Sequence, residues 1–164
     1  MTRSASWSGV AAIWIAWSAV MPAALHAQPQ PSPRVVVQRF RGPRGSALRR
    51  QLIRDLEDHG VVVLDDAEVR AARERLGFDR SLEGSQYVDL ARELNVSAYV
   101  DGRVRRRRRR WAARIRVRNA SDGERLGSAT WGGRTAASLG AVRRNGYARL
   151  EEYLTQASSP AAAA

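Results

Sequence analysis

Apolar positions repeat with two different periods along this chain, and the changes of period mark out its elements. Arg34-Val35-Val36-Val37-Gln38-Arg39-Phe40 is a short β-branched run that predicts a buried strand. Arg41 to Gly45, RGPRG, reads as a loop. Ser46 then stands at the cap position of a helix expected to reach about His59. Within it Leu48, Leu52 and Leu56 recur every four residues, with Ile53 beside them, and so form one apolar face. Gly60 is placed to end that helix in a left-handed conformation. Val61 to Leu64 predict a second buried strand. Asp65 or Asp66 caps the next helix, Ala67 to Leu76, which Gly77 closes. A third helix is expected over Gln86 to Leu94, opened by Ser85. Tyr87, Leu90, Ala91 and Leu94 share its apolar face, and Asn95 serves as a left-handed cap.

From Val96 onward the period falls to two. A strand over Val96 to Arg105 puts Val100, Gly102 and Val104 on one face and Asp101, Arg103 and Arg105 on the other. Arg106 to Arg109 fall at a turn. The return strand, Arg110 to Asn119, directs Trp111, Ala113, Ile115 and Val117 inward and Arg110, Ala112, Arg114, Arg116 and Arg118 outward. Asp122-Gly123 is a strong hairpin signal, so Arg125 to Trp131 becomes the third strand of a meander, broken by Gly132 and Gly133. Ala136 to Leu154 is the last helix, with Leu139, Val142, Leu150 and Leu154 as its apolar stripe and Gly146 weakening its middle. The order β-α-β-α-α-β-β-β-α implies an α/β (α+β) domain: a single mixed sheet of about five strands with helices on one face.

The amino-terminal region has a different character. Arg3 precedes an apolar run from Val10 to Val20, and Pro22, Ala23, Ala24 and Leu25-His26-Ala27 follow. This is the three-part design of a secretory signal, with cleavage expected after Ala27. The apolar run is shorter than the about 20 residues that span a bilayer. Residues 28–33, QPQPSP, form a proline-rich leader, residues 34–155 the folded domain, and residues 156–164 a flexible tail. Cleavage would leave 137 of the 164 residues, enough for one core without disulfides or metal. There is no cysteine, which excludes disulfides, thiolate metal sites and a lipidated amino-terminal cysteine. The expected location is therefore the periplasm or the exterior, without a lipid anchor.

Three stretches carry a family resemblance. Leu94 to Val104, LNVSAYVDGRV, joins a helix end to an apolar strand with a Gly-x-Val pattern. Ile115 to Glu124, IRVRNASDGE, is a strand followed by a turn with Gly-Glu, and Val35 to Phe40 precedes a Leu-spaced helix. In these the chain, over roughly Arg34 to Leu154, resembles the amino-terminal domain of TolB and the related α/β core of CsgG-type envelope proteins. The resemblance implies a periplasmic interaction module without catalysis. TolB's propeller and the pore-forming hairpins of CsgG-type proteins have no counterpart in these residues, so the resemblance imports neither partner nor binding residues.

Charge changes the picture at one place. The chain has 28 basic residues, all arginine, against 16 acidic ones. Arg103 to Arg118, RVRRRRRRWAARIRVR, holds ten arginines and no acid. With Arg3 of the signal also set aside, 17 basic residues face 16 acidic ones over the remaining chain. A GC-rich coding bias accounts for arginine in place of lysine, but not for ten of them together. Arg103, Arg105, Arg106, Arg107, Arg108, Arg109, Arg110, Arg114, Arg116 and Arg118 are thus the candidate anion- or partner-binding residues. Guanidinium groups pair with carboxylate and phosphate through two parallel hydrogen bonds, and massed on one surface they attract anions from a distance. A solvated strand protected from aggregation by its charge is the other reading.

Two kinds of partner fit: an acidic envelope protein, or a polyanion such as lipopolysaccharide, anionic lipid or nucleic acid. Nucleic acid is disfavoured because Trp111, a possible stacking platform, is expected to face inward. Catalytic chemistry finds little support. His59 lies at a helix end, where it caps and suits the local dipole. It has no second histidine for a metal and no nucleophile elbow beside it. Asp55, Glu57 and Asp58, like Glu151 and Glu152, read as solvated helix faces. The loop RGPRG lacks the Lys-Ser/Thr of a phosphate-binding loop. The sequence therefore predicts no enzyme, no cofactor, no metal and no small-molecule substrate.

Overall fold

The computed structural model describes residues 32–78 and 82–159. The expected export signal and most of the proline-rich leader lie outside the described residues. The β-branched run forms β1 (Arg34–Val37), and α1 (Gly45–Asp58) follows. Next come β2 (Val62–Val63), α2 (Asp66–Arg75) and α3 (Gln86–Leu94). The meander is β3 (Ala98–Arg107), β4 (Arg110–Asn119) and β5 (Arg125–Gly133). A 3-10 turn over Ala136–Ala141 leads into α4 (Val142–Ser158). The strands make one mixed sheet in the order β2-β1-β3-β4-β5. β1 runs parallel to both β2 and β3, and the β3–β4 and β4–β5 pairs are antiparallel.

Alternation divides the apolar residues between the two sheet faces. Val35, Val37, Val100, Val104, Ile115 and Val117 pack with Leu52 and Leu56 of α1 and Leu150 and Leu154 of α4 in the main core. Each of these aliphatic side chains contributes about 1.5–3 kcal/mol by leaving water. Over most of the meander this is the only face that helices cover among the described residues, as the sequence leads one to expect. At the parallel end, α2 and α3 also cover the opposite face. There Val36 and Tyr99 pack against Ala72, Leu90 and Leu94 in a second, smaller core. The Tyr99 hydroxyl donates to the Tyr87 carbonyl oxygen at 2.8 Å, and the two rings meet edge-on with centroids 5.1 Å apart.

Several helix ends differ from the sequence reading. Ser46 does not cap α1. Arg44 occupies that position in a left-handed conformation (φ 62), and no side chain caps the helix. Asp65, as expected, caps α2 by accepting the Ala67 N–H at 3.2 Å. Ser85 precedes α3 without a capping hydrogen bond from its side chain, whereas Asn95 closes α3 in the expected left-handed conformation (φ 50). Gly132 and Gly133 do not end β5 but belong to it. A Cβ at Gly132 would lie 2.9 Å from the Trp111 carbonyl oxygen, so close strand approach, not strand breaking, explains that glycine.

The last helix is two segments. The chain is non-helical at Asn145 (φ −147), whose Oδ1 accepts the Trp131 indole N–H at 2.9 Å. Beyond the kink, the Tyr147 N–H donates to Asp55 Oδ2 at 2.6 Å. Asp55 is therefore no solvated carboxylate: it is 2% exposed and serves as a non-local cap for the second half of α4. α4, expected to end at Leu154, continues to Ser158 with Ala157 buried.

Candidate anion-binding face

The β3–β4 hairpin is tight. Arg107 pairs with Arg110, leaving Arg108 and Arg109 as a two-residue turn with Arg108 in the left-handed region (φ 53). Alternation then sorts the ten candidate arginines. Arg103, Arg105, Arg107, Arg110, Arg114, Arg116 and Arg118 share the sheet face opposite α1 and α4. Arg108 and Arg109 cap its end. Arg106 is separated from them. It pairs with Trp111 on the helix-covered side, and its guanidinium lies 5.3 Å from that ring's centroid. Arg44 approaches the same ring at 5.9 Å. The indole, half-buried rather than fully inward, is thus occupied by cations of its own chain.

On the open face the meander carries a single acid, Asp101. Arg116 donates both Nε–H (2.9 Å) and an NH2 proton (2.6 Å) to Asp101 Oδ1. Arg118 approaches the same carboxylate at 3.6 Å, donates to the Gly123 carbonyl oxygen at 3.1 Å and lies over the Tyr87 ring at 5.9 Å. Arg114 shares the Ser128 hydroxyl, at 3.2 Å, with Arg125 at 3.1 Å. No ion pair engages Arg103, Arg105 or Arg107 to Arg110 among the described residues, and all six are exposed.

Elsewhere on the surface some arginines meet acids. Arg49 pairs with Asp66 at 2.5 Å, Arg75 with Glu93 at 2.6 Å and Arg143 with Asp58 at 2.7 Å. Among the described residues, arginines without an ion pair also occur elsewhere, such as Arg50, Arg54 and Arg144; the hairpin face differs in gathering them in register on one sheet face.

The sequence reading missed part of this surface. After β1 the chain bulges at Arg39-Phe40 and returns to β3, where Arg41 forms a parallel bridge with Arg103. The Arg41 N–H donates to the Gly102 carbonyl oxygen at 2.9 Å, and the Val104 N–H donates to that of Arg41 at 2.8 Å. The bulge turns Phe40 into the main core, directly over Gly102, where a Cβ would stand 2.6–2.7 Å from the ring. Arg41 consequently joins the arginine face from the far side of β3. Arg39, Arg41, Arg103, Arg116, Arg118 and Asp101 are among the residues lining a cleft of about 720 Å³ at the root of the hairpin. Nothing in the spacing of RGPRG announces this placement, because it depends on a bulge one strand away.

His59 closes α1, and its Nδ1 is 2.6 Å from the Asp55 carbonyl oxygen. Its ring stacks on Tyr147 at 4.4 Å. Burial pushes the Tyr147 phenol above its ordinary pKa, helped by the charge and hydrogen bond of Glu151. Burial, with a smaller contribution from Tyr87, does the same at Tyr99. Among the described residues no group of three or more histidine, aspartate or glutamate side chains is placed to hold a metal ion. Among them, too, no helix is long and apolar enough to cross a membrane.

No family model matches the sequence, and none of the curated proteins compared with it matches. Solved structures do. The chain is similar to the LpoB C-terminal domain from Escherichia coli at 15% identity and TM-score 0.55, covering 68% of this chain and 90% of that one. It is similar to lipoprotein GNA1162 from Neisseria meningitidis at 15% identity and TM-score 0.50, covering 74% and 97%. It is also similar to TolB from Acinetobacter baumannii at 13% identity and TM-score 0.51, covering 79% of this chain but 29% of that much longer one. The chain thus has the TolB-like α/β fold that the resemblance implied, shared with LpoB and GNA1162.

Proposed function

We propose that this protein is an exported, non-enzymatic domain of the bacterial envelope whose basic β3–β4 hairpin docks an acidic protein partner. One observation carries the reading: seven arginines share an open sheet face whose meander strands offer them one carboxylate. Coulombic repulsion within such a face is relieved when an acidic surface covers it. The fold likeness to LpoB and to a protein described as a lipoprotein supports an envelope setting. His59 and Asp55, the residues a catalytic site would have used, are engaged in closing α1 and capping α4, which supports a role without catalysis.

Cross-linking in envelope extract tests the proposal, with the full chain compared with a variant carrying Arg103, Arg105, Arg107 to Arg110 and Arg114 as glutamine. Capture of one identified acidic protein by the wild type, lost in the variant, is the expected result. Capture of lipopolysaccharide or anionic lipid, with an affinity falling steeply with salt, would replace the adaptor reading with direct polyanion binding. Identical capture by both chains would remove the hairpin from the contact.

A further inference from the structure

Resting on that reading, we infer that the partner's carboxylates seat at the root of the hairpin, in the row Arg41–Arg103–Arg114, and not at its arginine-rich tip. The register sets these three side chains abreast: Arg41, in an isolated bridge beyond β1, meets Arg103, and Arg103 pairs directly with Arg114. Neighbouring strands lie about 4.8 Å apart, so three cations stand side by side on one face. Like charges directly opposite one another destabilise a sheet. This row has no acid of its own to offset that.

The next row shows what such a site holds. Two residues along β3, about 7 Å away, Asp101 pairs with Arg116 in the same cross-strand relation that Arg103 has with Arg114. In that row the carboxylate takes two N–H bonds from Arg116 and lies 3.6 Å from Arg118. The occupied row is an intramolecular template for carboxylate recognition, and the Arg103–Arg114 row repeats the cross-strand arginine without the acid, the Arg114 guanidinium meeting the neutral Ser128 hydroxyl instead. Arg41 opens onto the same 720 Å³ cleft as Arg103, so these two members of the row are reached through a concavity, where field lines concentrate. At the tip Arg107 still pairs with Arg110 across the strands, but the register ends there. Arg108 and Arg109 are turn residues, and Arg106 is turned to the opposite side against Trp111. The occupant that fits is a pair of carboxylates spaced along an extended acidic peptide segment.

The test uses a hexaglutamate peptide as probe. Its affinity for the full chain is measured by calorimetry, and the arginine Nε–H signals are followed by NMR. The expected result is shifts at Arg41, Arg103 and Arg114. A R103K/R114K variant, which keeps charge and fold but loses the two-pronged geometry, should bind at least about 10-fold more weakly. A R108Q/R109Q variant should change affinity less than about 3-fold. Weakening by the tip variant but not the row variant would overturn the inference and leave hairpin docking standing. Failure of the wild type to bind hexaglutamate, or much tighter binding of inorganic polyphosphate, would overturn the inference together with the acidic-protein reading.

Discussion

Replacing Asp101 with asparagine removes the one carboxylate on the meander's open face and should act in opposite directions on stability and on binding. The side chain is 16% exposed and that of Arg116 is 39% exposed. The pair therefore lies between a surface ion pair, worth about 0.2–1 kcal/mol, and a shielded charged hydrogen bond, worth about 1.5–3 kcal/mol. Two short N–H bonds on one oxygen, with Arg118 close behind, place the cost of D101N at about 1–2 kcal/mol. Urea unfolding at low salt reads this as a lower midpoint with an unchanged slope. A double-mutant cycle with Arg116→Gln should give a coupling near the same size. In 1 M salt, where the Debye length falls to about 3 Å, the coupling should shrink.

The same substitution removes a negative charge about 7 Å from the Arg103–Arg114 pair. Coulomb's law in water puts that at about 0.6 kcal/mol, so hexaglutamate should bind D101N about 3-fold more tightly at low salt. A variant as stable as the wild type, with no coupling to Arg116, would refute the account of the face as a charge-frustrated surface held by one acid. Weaker hexaglutamate binding by D101N would refute the idea that Asp101 and the partner's carboxylates answer to the same field.

Three further outcomes follow from the packing. Gly102→Ala should destabilise by about 1–3 kcal/mol through overpacking, because its Cβ would meet the Phe40 ring; thermal unfolding measures it, and no loss would mean that Phe40 can leave its place. Asp55→Ala should cost about 2–3 kcal/mol, since the Tyr147 N–H loses its charged acceptor, and Asp55→Asn, which keeps an acceptor oxygen, should cost less; amide exchange at Tyr147 separates the two. The sequence has no lysine or cysteine, so tyrosines are the side chains that titrate in the alkaline range. The Tyr99 phenol is held protonated in the fold beyond its ordinary pKa of 10.0. Its contribution is therefore complete below pH 10 and is lost as pH rises above it, at up to about 1.4 kcal/mol per pH unit. Unfolding midpoints followed from pH 8 to 12 should fall along that slope, and more shallowly in Tyr99→Phe.

The order of elements was legible because each depends on near neighbours in sequence. Leu48, Leu52 and Leu56 mark the buried side of α1, and the alternation from Val100 to Val104 and from Trp111 to Val117 sets the faces of β3 and β4 without further information. What escaped depends on residues far apart in sequence. Asp55 looks like its exposed neighbours Glu57 and Asp58 until α4 brings the Tyr147 N–H to it across 92 residues. Ser46 has the chemistry of a cap, but the turn at Gly42 and Arg44 starts the helix two residues earlier and leaves the hydroxyl unused. Arg41 belongs to a loop by composition and to the sheet by virtue of the Phe40 bulge.

The candidate site shows the same division. Its charge could be counted from the sequence, and counting made the tip, with its unbroken run Arg105 to Arg110, the obvious focus. Register gives a different weighting. A run of consecutive arginines on a strand points alternately to two faces, so Arg106 is lost to the helix-covered side, and the turn takes Arg108 and Arg109 out of the sheet. Spaced arginines on neighbouring segments accumulate instead: Arg103 and Arg114 come from β3 and β4, Arg41 from the bridge after β1, and the three stand in one row. Coding bias can make a chain rich in arginine, and it supplies arginines elsewhere that meet Asp66, Glu93 and Asp58. It does not set the registers that stack cations in one row and place the sole acid of the meander's open face in the next. Under the proposed reading, that arrangement costs the free protein stability and an acidic partner covering the face returns it.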